Sequence, residues 1–394
     1  MKLPLHLQIF IGMIAGILFG IFFPSHVHWV TPAGKIFIQL LKMIVVPLIF
    51  VSIVDGINKV GCAEKLSELG LKTTAFYLTT NFLAVLTSLI LVNLIKPGVG
   101  VKIFGHEAPA QAGSGNMLDF IPSNIVQAFA QGDTMQLIFI AILFGVGMMA
   151  LKGKVPSLVA GFAEANEVLL KLTGFFVSLA PVGVFGLLAG MVHSIDWPTF
   201  MGIGKFAAVI IIGLIIHGAI TLPLFFKAFS NRPLLPFVKM MEPALLAAFS
   251  TSSSSAVLPI TMECIEKKAK VPKEIAGFVL PIGATVNMDG TAIYEAAACL
   301  FVAQAIGLHL NLGQQLIVFF MSALAAIGAA AIPSAGLVTL ALVLSAVHLP
   351  LEGIAFLMAI DRPLDMSRTI VNVWGDMVGC AVVEGKVTQK KGQE

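Results

Sequence analysis

Within the last apolar stretch of the chain, Asp361, Asp365, Arg368, Asn372 and Asp376 follow one another at intervals of four, three, four and four residues. On a helix that spacing sets them in one polar stripe, roughly 22 Å long at about 1.5 Å per residue. The surrounding sequence is that of a membrane protein: 58% of its 394 residues are hydrophobic, 11% are charged, and the mean hydropathy is +0.96. Soluble domains carry about 25% charge. A charge at the middle of a bilayer costs about 2.5–3.5 kcal/mol, and the hydrocarbon core is about 30 Å thick. The stripe must therefore face protein or water and find partners there. The chain has to fold as a polytopic helical bundle with a polar interior.

Hydropathy predicts simple spans over 7–24, 35–54, 71–95, 122–151 (long and broken), 163–192, 202–229, 275–308 and 351–383. The run that follows Lys2 is longer than a signal-peptide core and has no small-residue cleavage site, so it reads as a retained first span. Two further apolar stretches do not fit simple helices. One, 240–264, is interrupted by Ser250 to Ser255; the other, 312–347, is interrupted by AlaIleProSerAlaGly at 331–336. Pro, Gly and Ser break helices, and in lipid the released backbone groups must be satisfied by protein or a water-filled cavity. Both stretches read as re-entrant hairpins, and paired broken segments point to a transporter's binding site. The fold class expected is all-α: eight transmembrane helices plus two re-entrant helical hairpins.

Basic residues cluster at Lys59, Lys65 and Lys72, at Lys152 and Lys154, around 227–239, at 267–273 and at 386–391, whereas the opposite loops hold Lys35, Lys96 and Lys102. The positive-inside rule then places both termini in the cytoplasm of a multi-pass cell (inner) membrane protein. The first hairpin opens from the cytoplasm and the second from outside. Gly113 to Asn116 read as part of an external connection. The net charge of +3 gives no reason to expect a nucleic-acid partner, and four scattered cysteines show no metal spacing or disulfide framework.

The last two spans hold the acids Asp289, Glu295, Asp361, Asp365 and Asp376 against the bases Arg362 and Arg368, five against two. Buried carboxylates take protons or bind cations, and oxygen-rich sites suit hard cations. AsnMetAspGly at 287–290 reads as an unwound turn inside a span, which frees carbonyls as cation ligands. Hydroxyls and backbone N–H groups of the serine run can hold a carboxylate. Arg368 matches a second carboxylate with its fork, and Asp365 on the same face can take an ammonium. Arg362 lies off the face and is left outside the site. His217, alone in an apolar span, reads as a packed histidine.

Four motifs together resemble the glutamate transporter family, the dicarboxylate/amino acid:cation symporters: SerThrSerSerSerSerAlaValLeuPro (250–259), AsnMetAspGlyThrAlaIleTyrGlu (287–295), IleGlyAlaAlaAlaIleProSerAlaGly (327–336) and AspMetSerArgThrIleValAsnValTrpGlyAsp (365–376). The resemblance implies an elevator transporter that assembles as a homotrimer. Residues 1–70 and 96–200 would be the trimer scaffold, and 71–95 and 201–394 the moving transport domain, with the second hairpin as gate. It implies that the Ser253 hydroxyl, the Ser254 backbone and Asn372 take the substrate α-carboxylate, Asp365 the ammonium, and Arg368 with Thr291 the side-chain carboxylate. Thr369 lines that pocket and Gly336 closes it. It implies no cofactor, only coupling ions. One sodium would use Asp376 with carbonyls of Gly283, Asn287 and Asn372. Another would use Asp289, Asn287, Tyr77, Thr80 and Asn81. A third would use carbonyls of Thr285, Ala326, Ile327 and Ala329. Glu295 matches the family's proton-carrying position. This chain departs from relatives in having Asn81 where Ser or Thr is usual, and Ser252 and Met366 where many have a further arginine.

The function expected is uptake of L-glutamate or L-aspartate with sodium, and with protons if Glu295 carries one. A proton-coupled C4-dicarboxylate symporter of the same fold is the close alternative, and Asp365 discriminates between them, since a substrate without an ammonium has no use for a carboxylate there. An intramembrane serine hydrolase using Ser252 to Ser255 with His217 is a remote one, lacking a nucleophile-elbow motif. No other enzymatic chemistry is expected.

Overall fold

The computed structural model describes residues 5–65, 68–101, 121–132, 134–151, 154–191, 197–329 and 335–391, and among them every regular element is a helix. The connection holding Gly113 to Asn116 and the AlaIleProSer part of the second hairpin (331–334) lie outside the described residues.

The first half is a bundle of apolar helices. Helix α1 (Leu5–Phe22) meets α2 (Val27–Lys65) through the short turn Pro24–His26, and the segments on either side are bent by 110°. Proline disfavours helical geometry at the residue before it, and Phe23 leaves it here, at φ −127°. After α3 (Glu68–Ile95), the broken fourth segment appears as α4 (Ile125–Gln131) and α5 (Thr134–Ala150). Asn124 caps the start of α4 by accepting from the Val126 and Gln127 N–H groups, and Gly132 ends it in the left-handed region at φ 66°. Helices α6 (Pro156–Ser178) and α7 (Ala180–Met191) return across α1 and α2. Small residues allow this: a Cβ on Gly12 or Gly16 would collide with the backbone of Pro181 or Phe185, the close helix approach typical of packing in lipid.

In the second half, α8 (Trp197–Ile216) and α9 (Leu222–Phe229) are joined by one widened π-turn, His217–Thr221. The first hairpin is α10 (Leu234–Thr251) and α11 (Ser254–Glu263), followed by a second π-turn, Cys264–Lys268. Its tip is the serine run. Ser252 turns the chain at φ 53°, and the Ser253 hydroxyl caps α11 by accepting from the Ala256 N–H. Helices α12 (Lys273–Val286) and α13 (Asp289–Ala305) are parts of one span interrupted at Asn287 and Met288. The second hairpin is α14 (Leu312–Gly328), started by an Asn311–Gln314 capping box, and α15 (Ala335–Ala346). The last helix, α16 (Gly353–Lys391), carries the polar stripe.

Helix α13 is buried on nearly every side, among α3, α8, α14, α15 and α16. It carries Asp289, Thr291 and Glu295, which cannot face lipid. Where the chain leaves the core, Arg232 holds both oxygens of Glu384, at 2.6 and 2.7 Å, and the Ala269 carbonyl at 2.6 Å. Those bonds to Glu384 raise the guanidinium above its ordinary range, and they tie the base of the first hairpin to the end of α16. By length and composition, three described helices can cross a bilayer unaided, Leu69–Ile95, Trp197–Phe229 and Leu234–Thr251, with Leu7–Phe22 and Pro24–Phe37 forming a bent pair.

Candidate functional site

All five members of the α16 stripe are buried, and Arg368 is fully so. Its Nη2 donates to Asp361 Oδ1 at 2.9 Å and to Asp365 Oδ1 at 2.8 Å. Its guanidinium carbon lies 3.9 Å from the centre of the Tyr294 ring on α13, a cation–π contact. Two carboxylates and a ring thus fix an arginine that would otherwise be prohibitively costly at this depth. Its Nε and Nη1 make no hydrogen bond among the described residues. Nη1 points toward Gly336 at the start of α15, where a Cβ would sit 3.1 Å from it and 3.3 Å from Thr291 Cγ2. Gly336, Thr291 and Arg368 therefore meet in close contact, three of the residues that the resemblance groups around a substrate carboxylate.

Asn372 ties α16 to the broken span. Its Oδ1 accepts from the Gly290 N–H at 2.8 Å and its Nδ2 reaches Thr291 Oγ1 at 3.4 Å. Thr369, buried one turn from Asp365, donates its hydroxyl to the Asp365 carbonyl at 2.8 Å. Ser253 and Ser254 are buried at the hairpin tip, and α11 packs against α16. The first-turn N–H groups of α11 lack helical partners, so the tip presents donors and a positive helix end to an anion.

The residues expected to hold cations fall into three groups. In the first, Asp376 Oδ1 accepts from Asn287 Nδ2 at 2.9 Å, and the same amide reaches the Asn372 carbonyl at 3.3 Å. Gly283 closes against them: a Cβ there would lie 2.5 Å from both Asp376 Oδ1 and the Tyr77 hydroxyl. In the second, Tyr77 donates to the Val279 carbonyl at 3.1 Å and Thr80 to the Tyr77 carbonyl at 3.2 Å. Asn81 Oδ1, Asn287 Oδ1 and Asp289 Oδ1 are buried oxygens that accept no hydrogen bond among the described residues, the donor type a hard cation takes. In the third, Ala326, Ile327 and Ala329 stand at the carboxyl end of α14, where carbonyls gather and cations are favoured. The Ala326 carbonyl already accepts from the Ala329 N–H at 3.2 Å. Thr285 lies on α12, which packs on α14, with its hydroxyl bonded to the Ile282 carbonyl at 3.0 Å. No three His, Cys, Asp or Glu side chains cluster as for a resident transition metal among the described residues. Glu295 is fully buried on α13, its carboxyl beside the Thr339 hydroxyl.

Two residues that sequence reasoning set aside belong to this region. His217 is not merely packed: its Nε2 lies 2.8 Å from Asp289 Oδ2, with both side chains fully buried. The π-turn at His217 accompanies that contact, and such bulges gather at functional sites. Arg362, placed off the stripe, brings Nη1 to 3.6 Å from Asp365 Oδ2. Its three-residue offset from Asp365 was the available signal.

The chain is similar to known proteins along nearly its whole length. A family model described as the sodium:dicarboxylate symporter family matches residues 5–386. The chain is 35% identical to the proton/glutamate-aspartate symporter of Bacillus subtilis (strain 168), covering 97% of this chain and 95% of that protein. It is 35% identical to excitatory amino acid transporter 3 of Mus musculus, covering 91% and 79%. It is 32% identical to the C4-dicarboxylate transport protein of Bacillus subtilis (strain 168), covering 96% and 92%. These proteins are transporters, and the hydrolase reading is set aside with the family match.

Proposed function

We propose that this chain, which belongs to the sodium:dicarboxylate symporter family, imports L-aspartate or L-glutamate coupled to inward sodium, with Glu295 as the candidate proton carrier. The observation that carries the reading is Arg368, fully buried between Asp361 and Asp365 with Nη1 turned to Gly336 and Thr291. It offers a charged donor to a substrate side-chain carboxylate. Asp365 supplies the acceptor for an ammonium, and the Ser253–Ser254 tip with Asn372 takes the α-carboxylate. The acids left over, Asp289 and Asp376, sit with Tyr77, Thr80, Asn81, Gly283 and Asn287 as ligands for coupling cations; the end of α14 and Thr285 supply a third, carbonyl-rich set. Importing a net anion against an inside-negative potential costs about 2.3 kcal/mol per charge per 100 mV, so more than one cation must accompany each substrate.

The architecture follows the same reading: a homotrimer in the cell (inner) membrane, both termini cytoplasmic, with 1–70 and 96–200 as scaffold and 71–95 and 201–394 as the elevator. The packing of α2 on α5, α6 and α7 and of α1 on α7, and of α3 on α8 and α13, supports that division, with α2 meeting α3, α14 and α15 where the two parts would adjoin. One observation favours a second reading, C4-dicarboxylate symport: guanidinium groups of Arg368 and Arg362 stand at both oxygens of Asp365, so a dianion would meet two positive charges. Competition decides between them. Labelled aspartate uptake into proteoliposomes should be displaced by glutamate and not by succinate; equal displacement by succinate would transfer the assignment to dicarboxylates.

A further inference from the structure

We propose that His217 is a positioning residue for cation binding: it holds one oxygen of Asp289 so that the other stays aimed at the coupling ion. The proposal rests on the reading of Asp289 as a cation ligand given above.

His217 and Asp289 come from different helical spans, and both are fully buried. Nε2 of His217 lies 2.8 Å from Asp289 Oδ2. An ionised carboxylate only accepts, so Nε2 donates its N–H there. The other oxygen, Oδ1, is buried and accepts no hydrogen bond among the described residues. The two oxygens thus have different tasks. One is held by the protein, and the other is left to a ligand. With Oδ2 held, the carboxylate no longer turns freely about its Cβ–Cγ bond, and Oδ1 keeps one direction. Groups that orient a metal's ligands without touching the metal change its affinity by about 10–100-fold when removed.

The backbone is shaped around this contact. His217 opens the π-turn His217–Thr221, in which the Leu222 N–H bonds the His217 carbonyl. Such a turn admits one residue more than an α-helical turn, so it rotates the helix on one side of it relative to the other. The turn is pinned from a second direction. The Trp374 indole N–H on α16 donates to the Gly218 carbonyl at 3.0 Å, and Trp374 stands two residues before Asp376. The backbone beside the histidine is anchored to α16 while its ring reaches α13. Both helices carry residues assigned above to coupling cations, so the π-turn ties the two groups of ligands together.

The test uses the full chain and two readouts: the sodium concentration for half-maximal aspartate uptake into proteoliposomes, and the rise in thermal midpoint that sodium gives the purified protein, with choline chloride keeping the ionic strength constant. His217→Phe keeps a ring of similar size and loses the donor. Glutamine places an amide N–H as many bonds from Cβ as Nε2, and asparagine one fewer. His217→Phe and His217→Asn should raise the half-maximal sodium concentration about 10–100-fold and shrink the sodium-induced rise, while His217→Gln stays within about threefold of the wild type. A histidine that only fills space requires the reverse order, with His217→Phe nearest the wild type. Sodium dependence unchanged in His217→Phe overturns the proposal, as does His217→Gln displaced as far as His217→Asn. The midpoint in choline alone reports folding separately; should His217→Phe not fold, the comparison of His217→Gln with His217→Asn decides. Asp289→Asn tests the reading beneath: sodium dependence unchanged in that variant would remove Asp289 from the cation site, and the proposal would fall with it.

Discussion

Replacing Arg368 with cysteine should convert the carrier from acidic to neutral amino acids. The guanidinium is fully buried and its only hydrogen bonds among the described residues run to Asp361 at 2.9 Å and Asp365 at 2.8 Å, which leaves Nη1 for the substrate. Truncating one member of a buried charge pair costs about 2–5 kcal/mol, so the apparent affinity for aspartate should fall by roughly 30-fold to several thousand-fold. The same change removes the main counter-charge of Asp361 and Asp365, and breaking a buried pair destabilises by about 3–5 kcal/mol. A global loss must therefore be told apart from a loss of recognition. Uptake of labelled aspartate and of labelled serine, normalised to protein inserted in the vesicle membrane, makes that distinction. Serine keeps the ammonium and α-carboxylate contacts at Asp365 and the Ser254 tip but has no second carboxylate. Aspartate uptake should collapse while serine uptake persists or appears. An unchanged KM for aspartate, or equal loss for both substrates, would refute the role given to Arg368.

Three further outcomes follow from particular contacts. Gly336→Ala places a Cβ 3.1 Å from Arg368 Nη1 and 3.3 Å from Thr291 Cγ2; the crowding should weaken aspartate binding several-fold, read by isothermal titration in detergent, and overpacking should cost about 1–3 kcal/mol of stability, seen as a lower thermal midpoint. Gly283→Ala sets a Cβ 2.5 Å from Asp376 Oδ1 and the Tyr77 hydroxyl, so the sodium concentration for half-maximal uptake should rise about tenfold or more; unchanged sodium dependence would remove these residues from the cation site. Arg232→Ala breaks the fork on Glu384 and the bond to the Ala269 carbonyl. Because that side chain is a quarter exposed and partly screened, the loss should be about 1–2 kcal/mol, seen as a lower thermal midpoint with substrate affinity unchanged.

Much of this site can be read from the sequence because the bilayer removes alternatives. A charged stripe in an apolar helix must face inward, and Asp361, Asp365, Arg368, Asn372 and Asp376 do. AsnMetAspGly in a long apolar run must be an unwound turn, and α12 stops and α13 starts on either side of it. The Asn124 cap and Gly132 explain where the long fourth segment breaks. What escapes is pairing between distant or off-axis residues. His217 and Asp289 are 72 positions apart, and no periodicity links a lone histidine to an acid on another helix. Asp55 and Asn166, joined at 2.8 Å between α2 and α6, are 111 apart and carry no motif. Arg362 was placed by the direction of its Cα, yet its long side chain reaches back across the helix face to Asp365. Stripe arguments locate backbones well and flexible cationic heads poorly.

The central claim is that an acidic amino acid enters together with cations held by Asp289, Asp376 and their oxygen-rich neighbours. Its most direct test is the initial rate of labelled aspartate uptake into proteoliposomes under separately imposed sodium and pH gradients at a fixed inside-negative potential. An inward sodium gradient alone should drive accumulation above equilibrium, and an inward proton gradient should add to it if Glu295 carries a proton. Uptake that ignores both gradients and stops at equilibrium would contradict the account.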